Sequence, residues 1–409
     1  MARPMLSGAA IRSCVSLLLA AAIVIGVWAS PVRGDENDPI EASEPAAEEA
    51  GETAEDEANG GRTKKKSFPV IPIPIFITEP AIGYGLGAAV GYFHPRRGGD
   101  EDDDSIPPAI TIGTSPASGR GKESKRPPTI TGIAAAYTDK ETWAVGLGHS
   151  ASWAGDRIRY AGFVAYANLN STFYLLDLPF AFNLEGGVLY QNIRFRLGSS
   201  DFFLGGKLSY LNADGTFKLG EEAPVDLLER NMADSGLGLQ AVWDTRDNTM
   251  TPDAGQYFEA VLWRYDEAIG GEFDYWKADL KLLSFHTFAK RFVLGFRLDL
   301  DTVDGNPPLW AFPWISLRGI PALRYQNETA GAIETELRWN IFPRWAVLGF
   351  VGVGASRGDT LVYEDESGII AAGVGGRWLF RPEDSLWVGV DVARGPEDTY
   401  AYIQVGHAW

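Results

Sequence analysis

The side chains with most chemistry to offer lie between Leu317 and Gly354. Arg318 sits in Leu317-Arg318-Gly319-Ile320, and the run from Ala330 to Ile341 then alternates. Glu334, Glu336, Arg338 and Asn340 fall on one face, Ile333, Leu337, Trp339 and Ile341 on the other. Successive strand side chains point to opposite faces, so this strand has one charged wall and one apolar wall. A soluble sandwich would bury the apolar wall; a membrane barrel would turn it to lipid and the charges inward. Covalent chemistry has little to work with. The histidines are His94, His149, His286 and His407, and His149 and Ser150 are strand neighbours whose side chains point apart. No G-x-S-x-G is present, so a serine hydrolase is not indicated and no enzyme is expected. The single cysteine, Cys14, excludes a disulfide framework and a cysteine metal site. Metal and phosphate-loop motifs are not evident, so no cofactor is expected.

The elements that must position these charges follow from the compartment. Arg3 and Arg12 precede an apolar run, Val15 to Val27, which ends at the small-residue site Val27-Trp28-Ala29. A basic start, a short apolar run and small residues describe a secretory signal peptide over 1–29. No later segment approaches the roughly twenty apolar residues of a membrane helix. An exported chain without such helices spans a membrane only as a closed barrel, because every backbone N–H and C=O needs a partner. Asp and Glu total 54 against 36 Lys and Arg, for a net charge of −18, which argues against nucleic acid as a partner. Much of the excess lies in the Ala/Glu/Asp-rich segment within 30–67, which has too few apolar residues to order itself and reads as a disordered acidic linker. The barrel then occupies 68–409.

Phe68 to Pro80 carries alternating prolines, which exclude a central strand and leave an edge strand or a strap across the mouth. Gly83–Phe93 is a glycine-rich strand. His94 to Pro128 is a long polar loop with the acidic run Asp100-Glu101-Asp102-Asp103-Asp104, and Ala109–Thr114 can add a short strand within it. From Thr129 the chain becomes a meander, with strands expected at Thr129–Tyr137, Thr142–Trp153, Arg157–Asn168, Phe182–Leu197, Phe202–Leu211, Gly236–Asp244, Gln256–Tyr265, Phe273–Phe288 and Phe292–Asp301. After the opening stretch come Gly368–Phe380, Leu386–Val392 and Tyr400–Trp409. Phe292, Leu294, Phe296, Leu298 and Leu300 oppose Arg291, Arg297, Asp299 and Asp301; Lys277, Asp279 and Lys281 oppose Trp276, Leu280 and Leu282. Strands of about ten residues that repeat this alternation have lipid-facing and lumen-facing sides. The fold class is therefore all-β, a transmembrane antiparallel barrel of about sixteen strands, with fourteen or twelve open, and with water and ionic side chains filling its lumen.

Three features together resemble the BamA/TamA family of outer-membrane assembly barrels, also called bacterial surface antigens. Leu317, Arg318, Gly319 and Ile320 resemble its (V/L)RG(F/Y) signature in the sixth extracellular loop. Asp244, Arg246 and Asp247, followed by Pro252 and Gly255, resemble its DxRDxxxxPxxG turn between strands. The ending, Asp391 to Gly395 and then Tyr400 to Trp409, resembles its last two strands, with Tyr400, Tyr402, Val405 and Trp409 as the β-signal read by the outer-membrane assembly machinery. The resemblance implies that Arg318 is tucked into the lumen beside Glu334, Glu336 and Arg338. Physically, a guanidinium inside a narrow barrel needs carboxylates, and Glu334 or Glu336 would point inward to meet it. Where the family often has an Asp within F-x-D-x-G, this chain has Phe350-Val351-Gly352-Val353-Gly354, so another acid must serve or the contact is weaker. Only the linker precedes the barrel, where family members that insert or secrete proteins carry POTRA domains; this is the pattern of a short, POTRA-less member. The implied setting is the bacterial outer membrane. The partners are its lipid, the machinery that inserts the barrel, and an unidentified client protein or lipid handled at a labile seam between first and last strands. The alternative is a passive, porin-like channel.

Overall fold

The computed structural model describes residues 70–79, 82–94, 129–175, 178–219, 226–248, 251–360, 363–381 and 386–409. The expected signal peptide (1–29), the linker (30–67), the acidic run and Ala109–Thr114 lie outside the described residues. Sixteen strands follow one another. They are β1 (Val70–Glu79), β2 (Gly83–Phe93), β3 (Ile130–Thr138), β4 (Trp143–Trp153), β5 (Ile158–Leu175), β6 (Leu178–Arg196), β7 (Phe202–Leu219) and β8 (Asp226–Asp244). Then come β9 (Gly255–Tyr265), β10 (Tyr275–Phe288), β11 (Phe292–Gly305), β12 (Thr329–Phe342), β13 (Trp345–Arg357), β14 (Glu366–Arg381), β15 (Leu386–Arg394) and β16 (Thr399–Val405). Each pairs antiparallel with its sequence neighbours in one meander from β1 to β16. The proline-bearing first segment is an edge strand, and β1 and β16 come within 8 Å of each other at their Cα atoms without joining the ladder. The result is a nearly closed barrel.

The alternation along β12 decides between barrel and sandwich. Ile333, Leu337 and Trp339 are about two-fifths exposed on the outside, while Glu334, Glu336 and Arg338 on the opposite face are buried. No second sheet covers the apolar face among the described residues. Other strands repeat the pattern: Leu86, Val90, Leu147, Val164, Leu262, Val351, Val374 and Val392 all face outward and are exposed.

β1 begins and β16 ends at one rim, called here the near rim; the other is the far rim. The strands β5 to β8 run 18 or 19 residues, well beyond the expected ends at Asn168, Phe182, Leu211 and Gly236. Spanning hydrocarbon takes only about 9–11 tilted residues. The extra length was hidden because its outward face is polar. Asn183 donates to Asn168 (2.8 Å) and Asn170 (2.9 Å), and Asn168 donates to Glu185 (3.0 Å), so side chains there bond across strands rather than face lipid.

The lumen departs from the expected water-filled, charged interior. Much of its wall on β1 to β7 is apolar: Ile75, Ile77, Ala89, Ile130, Ala134, Ala165, Leu169, Phe182, Leu184 and Leu211 are buried in one cluster, while Arg159, Arg196 and Lys207 put charge on β5 to β7 toward the near rim. The segment 306–328, joining β11 to β12, packs Leu309, Trp310, Phe312 and Leu323 against that wall. Burying such a side chain contributes about 1.5–3 kcal/mol, so the loop is held as a core is held. The opposite wall, on β9 to β15, carries most of the other charges, and they pair with one another. Lys277 meets Asp279, and Arg297 donates to Asp299 (2.7 Å).

Candidate functional site

The loop 306–328 enters from the far rim with a single 3-10 turn, Leu309–Ala311. Trp310 Nε1 donates to Asp234 (3.0 Å), as does the Tyr275 hydroxyl (2.9 Å), so a buried carboxylate and an indole fix the entry on β8 and β10. Below this point Arg318 reaches the charged wall. Its Nε donates to Glu334 Oε1 at 2.8 Å, Nη2 lies 2.8 Å from Glu336 Oε2, and Nη1 donates to Asp391 Oδ2 at 2.9 Å. The guanidinium carbon stands 3.5 Å over the centre of the Phe350 ring, within cation–π range. Three carboxylates around one guanidinium would repel each other, so further cations share them. Arg377 Nη2 donates to Asp391 at 2.9 Å, and Arg297 Nη1 lies 3.9 Å from Glu334.

Asp391 on β15 therefore supplies an acid that the F-x-D-x-G position does not. The reason is steric. A Cβ on Gly352 would lie 2.5 Å from Leu317 Cδ2, and one on Gly354 only 2.1 Å from Ile315 Cγ2. The space an Asp would need is filled by the apolar residues of the loop, and Phe350 provides the stacking surface. Gly319, at φ +96°, lies against Gly395 of the β15–β16 turn, where a side chain on either would meet backbone at 2.0–3.0 Å. Gly319 N–H donates to the Tyr402 hydroxyl (2.9 Å). At the loop's outer end Arg324 donates to Glu397 (2.7 Å).

The end of the chain completes the site and corrects one expectation. The last strand stops at Val405 instead of continuing to Trp409. Gly406, at φ +82°, turns the tail inward, and its N–H still bonds to Trp387 O at 2.7 Å. His407 Nε2 lies 3.3 Å from Glu336, and Trp409 Nε1 donates to Glu334 at 2.9 Å. The expected signal aromatics thus face the lumen. Tyr402 packs on Leu348, Phe350 and Ala393, because its hydroxyl needs the polar partner that Gly319 offers. Tyr400 shares the inward parity of Tyr402, while Ile403 is the residue turned outward.

Arg338 is buried in the lumen but does not join Arg318. It pairs with Asp253 in the β8–β9 turn, being two residues nearer that rim than Glu336. The turn motif has its own geometry. Arg246 Nε donates to Asp244 (2.9 Å) and its guanidinium lies 4.3 Å over the Tyr257 ring. Asp247 accepts from Asp253 N–H (3.1 Å); Pro252 is buried; Gly255, at φ +102°, sits where a Cβ would be 2.4 Å from Thr245 O. Arg159 Nη1 lies 3.6 Å from Asp244 and joins the motif to the β4–β5 turn. There Asp156 accepts from Ser152 (2.8 Å) and Arg159 (2.7 Å) and pairs with Arg196. Burial alone would raise the Asp156 carboxyl, but these donors and charges hold it below the ordinary carboxylate range. No group of three or more His, Cys, Asp or Glu able to hold a metal occurs among the described residues.

BamA from Haemophilus ducreyi lacking POTRA domains 1–3 superimposes with a TM-score of 0.53 at 9% identity, over 82% of this chain and 69% of that one. CdiB from Acinetobacter baumannii gives 0.52 at 11% identity, over 82% of this chain and 59% of that one. CdiB from Escherichia coli gives 0.55 at 11%, over 83% and 63%. The fold is that of the BamA and CdiB barrels. This chain spans about three-fifths of the length of either CdiB chain. No family model and no curated protein matches the sequence. Of the residues named from the sequence and the resemblance, the structure brings Arg318, Glu334 and Glu336 together, whereas the contacts of Asp391, Phe350 and His407 with them emerge only from the structure. Asp391 had one readable signal, its place between Val390 and Val392, both of which are exposed outward.

Proposed function

We propose that this chain is a non-enzymatic outer-membrane barrel of the BamA/TamA type, exported by the segment 1–29, which handles a client protein or lipid at the seam between β1 and β16. The near rim, with both strand ends, faces the periplasm in this reading, and the far rim faces outward. The observation that carries it is the seam. Every other neighbouring pair of strands is joined by an antiparallel ladder, while β1 and β16 are adjacent without one. In hydrocarbon, unpaired backbone is costly, so such a boundary is the place where the wall opens or takes up another segment. Arg246 and its turn, and the loop around Arg318, act as braces that keep the rest of the wall rigid.

The porin-like alternative is less well supported, because the loop 306–328 and the tail Gly406–Trp409 pack into the lumen and many of its charges are paired. The test is a disulfide between cysteines placed in β1 and β16, made in a deletion strain that the wild-type gene rescues. Oxidation should abolish rescue and reduction restore it. Rescue that is unchanged by oxidation removes the seam from the mechanism, and large stable conductance in planar bilayers would favour the pore.

A further inference from the structure

Charge is matched differently at the two ends of the barrel. At the far rim Arg264, Arg324, Arg357 and Arg394 each have a carboxylate within ion-pair distance, on Asp266, Glu397, Asp365 and Asp398. At the near rim the acids are already engaged. Asp156 and Asp244 are held by Arg159, Arg196 and Arg246, Glu259 by Lys207 (2.7 Å), and Asp253 by Arg338. Other cations are left over. Arg157 in the β4–β5 turn, Lys290 and Arg291 in the β10–β11 turn and Arg344 in the β12–β13 turn are exposed, and Arg194 on β6 is half-buried. None of them makes an ion pair among the described residues.

The ladder shows which way these side chains point. Arg196 N–H donates to Arg157 O (2.7 Å), Asn340 N–H to Arg291 O (2.8 Å) and Leu379 N–H to Arg344 O (3.0 Å), so the sheet pattern runs on through all three turn residues. Arg157 then shares the parity of Ala165 and Leu169, and Arg194 that of Leu184 and Val188. Arg291 shares the parity of Val293 and Arg297, and Arg344 that of Ala346 and Leu348. All of these partners in parity are buried toward the lumen. The unmatched positive charge therefore rings the mouth, while the outward girdle at this rim is aromatic, with Phe288, Phe292 and Trp339 stacked in a row.

The same chain carries the complementary charge. Between Asp35 and Gly61 the sequence has eleven Asp and Glu and no Lys or Arg, and Arg62 with Lys64-Lys65-Lys66 offsets only part of that excess. β1 starts at the near rim with Val70, so the acidic segment is attached beside the cations. From Gly61 to Val70 an extended chain reaches about 30 Å. Sixteen strands about 4.8 Å apart and tilted near 40° enclose a mouth roughly 30 Å across, within that reach.

We infer that the near mouth of the barrel is a docking surface for the chain's own acidic segment 35–61, held by Arg157, Arg194, Lys290, Arg291 and Arg344. The carboxylates supply the counter-ions that the near rim lacks. Each exposed pair is weak, and the strength comes from their number and from the tether, which gives an effective concentration on the order of millimolar. The contact is independent of the seam between β1 and β16. Salt releases it, because the screening length falls from about 10 Å at 0.1 M to about 3 Å at 1 M.

The test places nitroxide labels at Ala50→Cys and Ser199→Cys in a Cys14→Ser chain, Ser199 being exposed in the β6–β7 turn of the near rim. Pulsed electron spin resonance on the full chain in phosphatidylcholine nanodiscs reads their separation. Docking gives a population at or below the mouth width of about 30 Å, which 1 M salt should cut about threefold or more. Changing the acids of 35–61 to Asn and Gln should do the same at low salt and leave the unfolding midpoint of the barrel unchanged. The R157Q/K290Q/R291Q/R344Q barrel should match it; if that barrel misfolds, the acid-neutralised chain decides. A short-distance population that never forms in wild type, or that survives salt or either set of substitutions, would overturn the inference. So would its loss when part of the lipid is anionic phosphatidylglycerol, since the cations then belong to headgroups.

Discussion

Replacing Arg318 by methionine removes a guanidinium from between Glu334, Glu336 and Asp391, whose side chains are at most 3% exposed. Taking one partner from a buried ion pair costs about 3–5 kcal/mol, because the remaining charge has lost both water and its counter-ion. Here each acid keeps something. Trp409 Nε1 stays on Glu334 (2.9 Å), His407 near Glu336 (3.3 Å), and Arg377 on Asp391 (2.9 Å). The cost of R318M should therefore fall at the lower end, about 3 kcal/mol. R318K keeps the charge but neither the fork nor the flat face over Phe350, and about 1–2 kcal/mol is expected. Removing one acid in the same background discriminates electrostatics from packing. R318M/E334Q should be less destabilised than the sum of its single variants, with a coupling of about 1–3 kcal/mol. The assay is urea unfolding in detergent micelles followed by tryptophan fluorescence. A coupling of zero, or an R318M barrel as stable as wild type, would refute the picture of a loop anchored by charge.

The remaining expectations use the same assay. Trp409→Ala should cost about 2–3 kcal/mol, since it removes a ring packed on Phe285 and a donor to Glu334, and the loss should shrink in an E334Q background. Gly354→Ala should cost about 1–3 kcal/mol by pushing Ile315 away, and should expose the loop to limited proteolysis; an intact, resistant loop would contradict the packing. Asp156 is held below its unfolded value, so its contribution is fully present above the unfolded pKa of about 4 and is lost as pH falls towards the folded value. The urea midpoint of wild type should fall between pH 5 and pH 3 more steeply than that of D156N; equal slopes would show that this carboxylate is not responsible.

How much of this was legible in the chain depends on which face of a strand met what. Where lipid touches one face, as along Ile333, Leu337 and Trp339, the period of two is plain, and the strand bounds follow to within a residue or two. Where strands rise past the hydrocarbon the contrast inverts, with Asn168, Asn170 and Asn183 outward and Leu169, Phe182 and Leu184 toward the lumen, so a pattern of apolar side chains facing lipid stops short of the true ends of β5 to β8. The charged lumen wall was readable because Glu334 and Glu336 stand opposite apolar neighbours. The apolar lumen wall was not, since Ala134 or Ala144 on a glycine-rich strand gives the same letters whether it faces water or the loop. Nor does sequence spacing reveal that Asp391, some seventy residues from Arg318, closes the site; that follows from sixteen strands returning the chain to its start.

The unequal strand lengths leave the outer surface lopsided. At about 3.3 Å per residue and a tilt near 40°, strands of 18 residues climb roughly 45 Å, against about 30 Å of hydrocarbon. On one flank, β5 to β8 form a parapet; on the other, β16 runs only seven residues. Arg324 and Glu397 lie on the low flank of the far rim, at the β15–β16 turn beside the seam, so a large probe approaching that rim meets them on the side away from the parapet.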